Sequence, residues 1–366
     1  MEVETSAGVK KTEAFMHNLG VKNEQEVISK GVEYSYGNPI DFLLLKRNVQ
    51  RNYPQQVEFW KSKAKLLYSL SLPQEICVLC GSKDYKIAGN IHGWPWHQCN
   101  NCTHAFNGRY LPPEKVLEFY KITDEPINYS DTYTDPEVQD YRRDYVSEAK
   151  VNYITRYCSN KNRTWLDVAA GNGDVLYLAK NRGYEVSGIE INPDSVRFAK
   201  ERYGVDLYLG KIEDYDKEVG KKWDIISFLG ISDIIENPVE YMQIAVRLLN
   251  RDGIMVMSFP NFDSLSTRVQ FAYPDQIICR HLYPSVVGSY TEKSATMALE
   301  REGFKVIAAW YYGMDFYELL NNLSFSDERF KKSELCQFLR KMTNDLQHVF
   351  DAKKSSDEFM VISKKK

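Results

Sequence analysis

From Thr164 onward the chain alternates short apolar runs with stretches of helical period, and no other feature narrows the fold so far. A strand buried on both faces reads as a continuous apolar run, and two such strands in parallel need a crossover, usually a helix, to join them. The pattern therefore predicts βαβ units and a parallel sheet. Seven strands are expected, at Thr164–Val168, Tyr184–Ile189, Asp206–Leu209, Asp224–Phe228, Gly253–Phe259, Phe304–Trp310 and Phe359–Ser363. Two helix starts are marked by Asn192-Pro193 and Asn237-Pro238, where a capping side chain precedes proline at the first helical position. A third helix is expected to begin at Thr291 and stop at Gly303. A helical insertion at about 313–352 precedes the last strand. In it Leu335, Phe338, Leu339, Met342, Leu346 and Val349 fall along one face of a helix, suited to packing on the sheet or on a neighbouring subunit.

The first strand runs into Asp167-Val168-Ala169-Ala170-Gly171-Asn172-Gly173-Asp174, and Glu190 closes the second. Small residues at a strand end let the backbone approach a ligand, with the next helix N-terminus aimed at it. An acid at the tip of the second strand can accept hydrogen bonds from a ribose diol. Both features occur in dinucleotide-binding and in adenosylmethionine-binding folds. Two details favour the latter. Asp167 lies inside the strand, where its carboxylate can reach a cofactor's amino group, and Leu176 stands where a dinucleotide fingerprint needs its third glycine.

Cys77-Val78-Leu79-Cys80 and Cys99-Asn100-Asn101-Cys102 form two C-x-x-C pairs separated by 18 residues. Each pair on a tight knuckle turn offers two thiolates, and two knuckles complete a tetrahedron around zinc. Four thiolates leave no coordination position for water, so the zinc is expected to be structural. Paired redox motifs are the alternative, and His92, His97 and His104 lie close enough to replace a cysteine. The total of seven cysteines is odd, and the polar N-terminus has no apolar run of the secretory kind. A reducing, cytoplasmic setting is expected. The longest apolar clusters are far too short to cross a bilayer. A formal net charge of −3 gives no electrostatic reason to expect nucleic acid as a partner.

The organisation expected is an N-terminal helical segment (1–72), a zinc ribbon (73–110), a tyrosine-rich helical linker or lid (111–160) and a catalytic domain (161–366). The first 30 residues are polar and expected to be loosely ordered. Between Pro39 and Leu72, Val57, Trp60, Ala64, Leu67 and Ser71 recur at three- and four-residue steps. Tyr129, Tyr133, Tyr141 and Tyr145 would supply a lid over the cofactor or a packing face.

Residues 164–310 resemble the class I S-adenosylmethionine-dependent methyltransferases, which implies a Rossmann-like α/β fold with a seven-stranded sheet. The resemblance assigns cofactor contacts to Asp167, Ala169, Gly171, Asn172 and Gly173 of the first motif, with Ala169 where glycine is commoner. It further assigns Glu190 to the ribose, Ile191 to a flank of the adenine, and Lys211, Ile212 and Glu213 to its edge. Phe228 and Leu229, ending the fourth strand, would carry the methionine portion. Two departures stand out. A Leu-Glu-His run of many relatives is replaced by Ser232-Asp233-Ile234, and their Pro-x-His by Pro284-Ser285-Val286.

The ribbon ahead of such a domain, over roughly residues 75–366, resembles bacterial sugar C-methyltransferases and methyltransferases of polysaccharide synthesis. A small-molecule acceptor, a sugar or nucleotide-linked sugar, is the expectation. An O- or N-methyltransferase of another metabolite, or a non-catalytic binding protein, are the alternatives. The acceptor wall is expected in residues 260–290, with His281 or Tyr283 removing a proton. Phe259-Pro260-Asn261 is not the Asn-Pro-Pro-Tyr type of motif that methylates nucleobase amines. The chain could also form an oligomer.

Overall fold

Asn192 accepts the N–H of Asp194, and Asn237 that of Glu240, with Pro193 and Pro238 following at the first helical positions. Thr291 and Ser294 close a reciprocal capping box. These local bonds satisfy helix N–H groups that would otherwise lack partners, and they fix where each crossover leaves the sheet. In the computed structural model the described residues are 31–47, 53–112, 115, 135–158 and 163–366. Residues 34–366 form one compact unit.

The elements of the catalytic region are β7 (Thr164–Val168), α5 (Asp174–Asn181), β8 (Glu185–Glu190), α6 (Pro193–Tyr203), β9 (Leu207–Leu209), α7 (Ile212–Glu218), β10 (Trp223–Phe228), α8 (Pro238–Leu248), β11 (Leu249–Pro260), α9 (Leu265–Ala272), β12 (Gly288–Ser289), α10 (Glu292–Arg301), β13 (Phe304–Tyr312) and β14 (Glu358–Lys365). Strands β7 to β11 pair in parallel in the order β9-β8-β7-β10-β11, and β14 then joins antiparallel between β11 and β13. The seven strands expected from the sequence are all present, and they form one mixed sheet with a parallel core. One correction applies. The sheet has eight strands, because the short β1 (Glu33–Tyr36) adds at the edge beside β13. Its tyrosines Tyr34 and Tyr36 stack on Tyr311 of β13, with ring centroids 6.5 and 6.4 Å away.

The N-terminal helical pattern forms α1 (Phe42–Leu45) and α2 (Tyr53–Leu70). On α2, Val57, Ala64 and Leu67 are buried as the spacing demands. The ribbon follows with β2 (Leu72–Pro73), β3 (Tyr85–Ile91), β4 (Trp94–Cys99), β5 (Ala105–Asn107) and β6 (Arg109–Tyr110). Its four-stranded sheet, β12-β5-β4-β3, borrows β12 from the catalytic region. A shared apolar core seals this junction. Ala64 and Leu67 of α2, Trp94 and Trp96 of β4, and Leu282, Tyr283 and Val286 all belong to it. Each tryptophan also donates its indole N–H across the junction, Trp94 to the Ala64 carbonyl and Trp96 to that of Leu282, both at 3.0 Å.

The tyrosine-rich segment is helical from 136 to 155, in α3 (Pro136–Tyr141), a π-helical stretch (Arg142–Ser147) and α4 (Glu148–Thr155). Tyr129 and Tyr133 lie outside the described residues, as do the first 30 residues. The insertion forms α11 (Asp315–Ser326), α12 (Glu328–Lys331), α13 (Glu334–Lys341) and α14 (Thr343–Ala352). The single apolar helix expected over 335–349 is therefore broken at Met342, which leaves helical geometry between α13 and α14. The break rotates the stripe apart. Leu335, Phe338 and Val349 are exposed, so the face does not pack on the sheet.

Candidate cofactor and acceptor sites

The turn after β7 is built from three left-handed residues, Ala169 at φ +56°, Gly171 at +54° and Gly173 at +76°. Only glycine takes this conformation without steric cost, so Ala169 is held there by its surroundings. At Gly173 a Cβ would also come within 3.0 Å of Ala199 on α6. The chain thus turns tightly enough for α5 to begin directly behind the strand, its first N–H groups facing the carboxyl end of the sheet.

Glu190, buried at the tip of β8, ties two loops together. Its Oε2 accepts the Gly171 N–H at 2.8 Å, while Oε1 accepts those of Ile191 and Asn192 at 2.8 and 2.9 Å. Beside it opens a cavity of about 610 Å³, lined by Val168, Ala169, Glu190, Ile191, Lys211, Ile212 and Glu213 and roofed by residues of the ribbon and of 284–287. Ile191 is 68% exposed, an apolar side chain left open where a ligand face can cover it. Glu213 keeps a buried Oε2 without a hydrogen-bond partner among the described residues. Asp167 lies deeper, wholly inside β7, and accepts a hydrogen bond from Ser227 of β10. Burial pushes its carboxyl up to about 7.

The residues assigned by resemblance lie toward the carboxyl ends of β7 to β10, but Asp167, Gly171, Asn172, Gly173, Phe228 and Leu229 are absent from the cavity lining. Gly171, Asn172 and Gly173 form the turn beyond the cavity lining. Phe228 is fully buried with its ring against Tyr241, at 6.1 Å between centroids, so its side chain is absent from that lining.

A second polar region lies beyond the carboxyl ends of β10, β11 and β13. Arg280 donates from Nε to Glu318 at 2.9 Å and from its terminal nitrogen to Asp357. His281, buried, has Nε2 3.7 Å from Oδ2 of Asp357, an ion-pair distance longer than a hydrogen bond. Burial alone would raise the Asp357 carboxyl, but Arg280 and His281 outweigh it and hold it down at about 2. Next along β14, Glu358 accepts from the Tyr312 hydroxyl at 2.8 Å and lies 3.7 Å from the Lys150 ammonium of α4. Asp233, in the segment that departs from the family pattern, has its carboxyl raised by burial against the opposing charge of His281. Arg280, Glu318 and Glu358 keep 21%, 22% and 23% of their side chains exposed, so the cluster reaches solvent. Tyr283 is placed otherwise. It is buried in the ribbon junction with its ring edge-on to Trp60 at 4.4 Å, outside this cluster.

Arg280 and Asp357 carry no local signal in the sequence, because residues 280, 318 and 357 meet only through the fold. Behind them Asp315, Asp351 and Gln347 form a buried network in which Gln347 donates to both carboxylates at 2.9 Å.

At the ribbon, the N–H of Gly81 donates to the Cys77 carbonyl at 2.8 Å and that of Thr103 to the Cys99 carbonyl at 3.0 Å. Gly81 and Thr103 are both left-handed, at φ +74° and +64°. The two knuckles are thus equivalent turns. All four sulfurs lie within 4.8 Å of one another and could hold a metal ion.

The family model described as a methyltransferase domain matches residues 159–304. A curated relative, the ubiquinone biosynthesis O-methyltransferase of Hydrogenovibrio crunogenus, is 21% identical over 191 residues, covering 50% of this chain and 78% of that protein. Similar solved structures include a SAM-dependent methyltransferase from Archaeoglobus fulgidus, 18% identical with a TM-score of 0.45, covering 65% of this chain and 100% of that one. A plantazolicin methyltransferase in complex with a triazolic desmethylPZN analog and SAH is 17% identical with a TM-score of 0.43, covering 69% of this chain and 91% of that one. The matched segment carries the glycine turn, Glu190 and the parallel strands β7 to β11, and on these grounds the chain is an S-adenosylmethionine-dependent methyltransferase.

Proposed function

We propose that the protein methylates a polar, hydroxyl-bearing small molecule, a sugar or nucleotide-linked sugar, held beside Arg280, His281, Asp357 and Glu358. The observation that carries this reading is the buried ionic cluster itself. A site lined by fixed donors and acceptors suits a polyol, whereas a purely apolar acceptor would leave those groups unsatisfied. The cluster also lies beyond the strands' carboxyl ends, where ligands of open α/β sheets bind.

The cofactor supplies an electrophilic methyl group on a sulfonium. Glu190 keeps one acceptor site, on Oε2, for a ribose hydroxyl while its present bonds hold the turn in shape. Glu213 Oε2 accepts the exocyclic amino group of the adenine, and Ile191 covers one face of that ring. Asp167, deeper in β7, would offer its carboxylate to the cofactor's ammonium. His281 takes the acceptor's proton, and the charge of Asp357, 3.7 Å from Nε2, favours the imidazolium that forms. The name of the curated relative, an O-methyltransferase, favours a hydroxyl oxygen as the atom methylated.

The four cysteines suit zinc. A tetrahedral zinc–thiolate centre with bonds of about 2.3 Å has sulfur–sulfur edges of about 3.8 Å, and Cys77–Cys102 and Cys80–Cys99 are separated by 3.6 and 3.5 Å. The zinc would be structural, and a protein of this kind belongs in the cytoplasm. No helix among the described residues is long and apolar enough to cross a membrane.

Methyl-labelled S-adenosylmethionine, offered with a panel of nucleotide-linked sugars, phenols and amines, tests the acceptor class. Label recovered in a sugar is the expected result. Label recovered only in phenols or amines would overturn the sugar assignment and leave the cofactor half intact.

A further inference from the structure

The cavity beside Glu190 has two walls, and only one belongs to the methyltransferase sheet. Besides Ile191 and Glu213, the lining takes in Gln74, Val78 and Asn107 of the ribbon and Leu111 just after it. Val78 lies inside the first knuckle, between Cys77 and Cys80, so its position follows from the loop those sulfurs close.

The ribbon is stitched to the cofactor side at several points. The Asn107 side chain, itself buried, donates to the carbonyls of Pro284 and Val286 at 3.3 and 3.4 Å, and its N–H to that of Val287 at 3.1 Å. Val287 in turn donates to the Asp233 carbonyl at 2.7 Å, reaching the segment after β10. On the other side of the ribbon, Arg301 of α10 donates to the carbonyl of knuckle residue Leu79 at 2.8 Å, and the Thr103 and Thr291 hydroxyls lie 2.6 Å apart. These bonds make the ribbon a fixed part of the cavity rather than a tethered module.

We propose that the ribbon is a cofactor-binding element. Its first knuckle and the Asn107–Leu111 stretch roof the nucleoside end of S-adenosylmethionine, so metal in the ribbon and cofactor on the sheet bind cooperatively. This inference rests on the reading of both ligands given above. With Ile191 from the sheet and Val78 and Leu111 from the ribbon side in one lining, apolar side chains from both would cover a flat adenine ring, and this removal from water would supply the apolar contribution to binding. Without metal the four thiols share no common centre, the knuckle is free to open, and the roof loses Val78. Linkage then requires the reverse effect as well, with bound cofactor slowing metal loss by the same coupling.

The experiment uses S-adenosylhomocysteine as the probe, titrated calorimetrically into the metal-loaded full-length protein and into the same protein after chelation, with folding followed by circular dichroism. Metal removal is expected to weaken binding about 5- to 150-fold, the usual span of site coupling. S-adenosylhomocysteine should slow metal transfer to a chelating dye. Because the metal-free protein could unfold, Val78→Asp provides the second arm. It keeps the four cysteines but places a carboxylate in a cavity that already holds Glu190 and Glu213, and should cost about tenfold or more in affinity at unchanged metal content. Wild-type affinity in Val78→Asp, together with metal release unaffected by S-adenosylhomocysteine, would overturn the inference while both ligands still bind. A wild-type protein that holds no metal, or binds no S-adenosylhomocysteine, would overturn the underlying reading instead.

Discussion

On the cofactor side of the sheet, the site is made mainly of backbone. Ala169, Gly171 and Gly173 set the turn, and the Glu190 carboxylate is locked onto three N–H groups of its own neighbourhood. On the proposed acceptor side, the site is made of side-chain charge. Arg280, Glu318 and Asp357 come from separate elements and hold one another, with His281 at their edge. A backbone site is preorganised by local geometry and tolerates little variation, whereas a charge cluster can be rebuilt residue by residue for a new acceptor. The difference separates two kinds of effect. Changes on the cofactor side should alter affinity for the cofactor, and changes on the acceptor side should alter turnover.

The largest expected effect falls on the acceptor side. His281→Ala should lower kcat about 10²- to 10⁴-fold, the usual contribution of a general base, while S-adenosylhomocysteine affinity stays near the wild-type value. Steady-state kinetics beside calorimetry reads both. If affinity falls and turnover per bound cofactor does not, His281 supports the fold and the separation of the two sides fails.

Next comes the pH dependence of cofactor binding. Burial raises the Asp167 carboxyl to about 7 in the free protein, so near neutrality half of the molecules carry a proton there. A cofactor ammonium favours the carboxylate, so the pKa is lower in the complex and binding below pH 7 must expel that proton. Affinity should therefore fall as pH drops below about 7, by up to about tenfold per unit, and level off above it. Asp167→Asn should bind more weakly and lose the slope. A slope that survives in the variant would assign the titration to another group.

The smallest effect sharpens the backbone side of the comparison. Ala169 sits at φ +56°, where an L-residue pays roughly 1–2 kcal/mol relative to its favoured conformations. Ala169→Gly should therefore raise unfolding stability by about 1 kcal/mol in denaturant titration, part of the relief being offset by glycine's greater freedom in the unfolded chain. A loss of stability would mean that the Ala169 methyl group packs more usefully than its backbone strains.

How much of this was legible in the sequence follows from the same contrast. Strands β7 to β11, β13 and β14 announce themselves as apolar runs, and the Asn-Pro pairs at 192 and 237 cap helices where they stand, because both signals are local. The C-x-x-C knuckles are local too, and their four sulfurs meet. The β12–β5 pairing involves two residues of one strand, too few to show a period, so the ribbon's attachment could not be read. Neither could the Arg280–Asp357 pair, whose members lie 77 positions apart. The break at Met342 was hidden for another reason. The apolar stripe runs on through it at helical spacing, and only the turn at Met342 divides α13 from α14. Tyr283 looked as eligible as His281 by residue type, and its burial against Trp60 separates them.

Cofactor binding is expected to turn on Glu190, which ties the glycine turn to the tip of β8. Calorimetric titration of S-adenosylhomocysteine into wild-type protein and Glu190→Ala tests this directly. The wild type should bind one equivalent. The variant should lose about 10- to 150-fold in affinity, the value of hydrogen bonds to a charged group, with its circular dichroism unchanged. A wild type without detectable binding, or a folded variant that binds equally well, would contradict it.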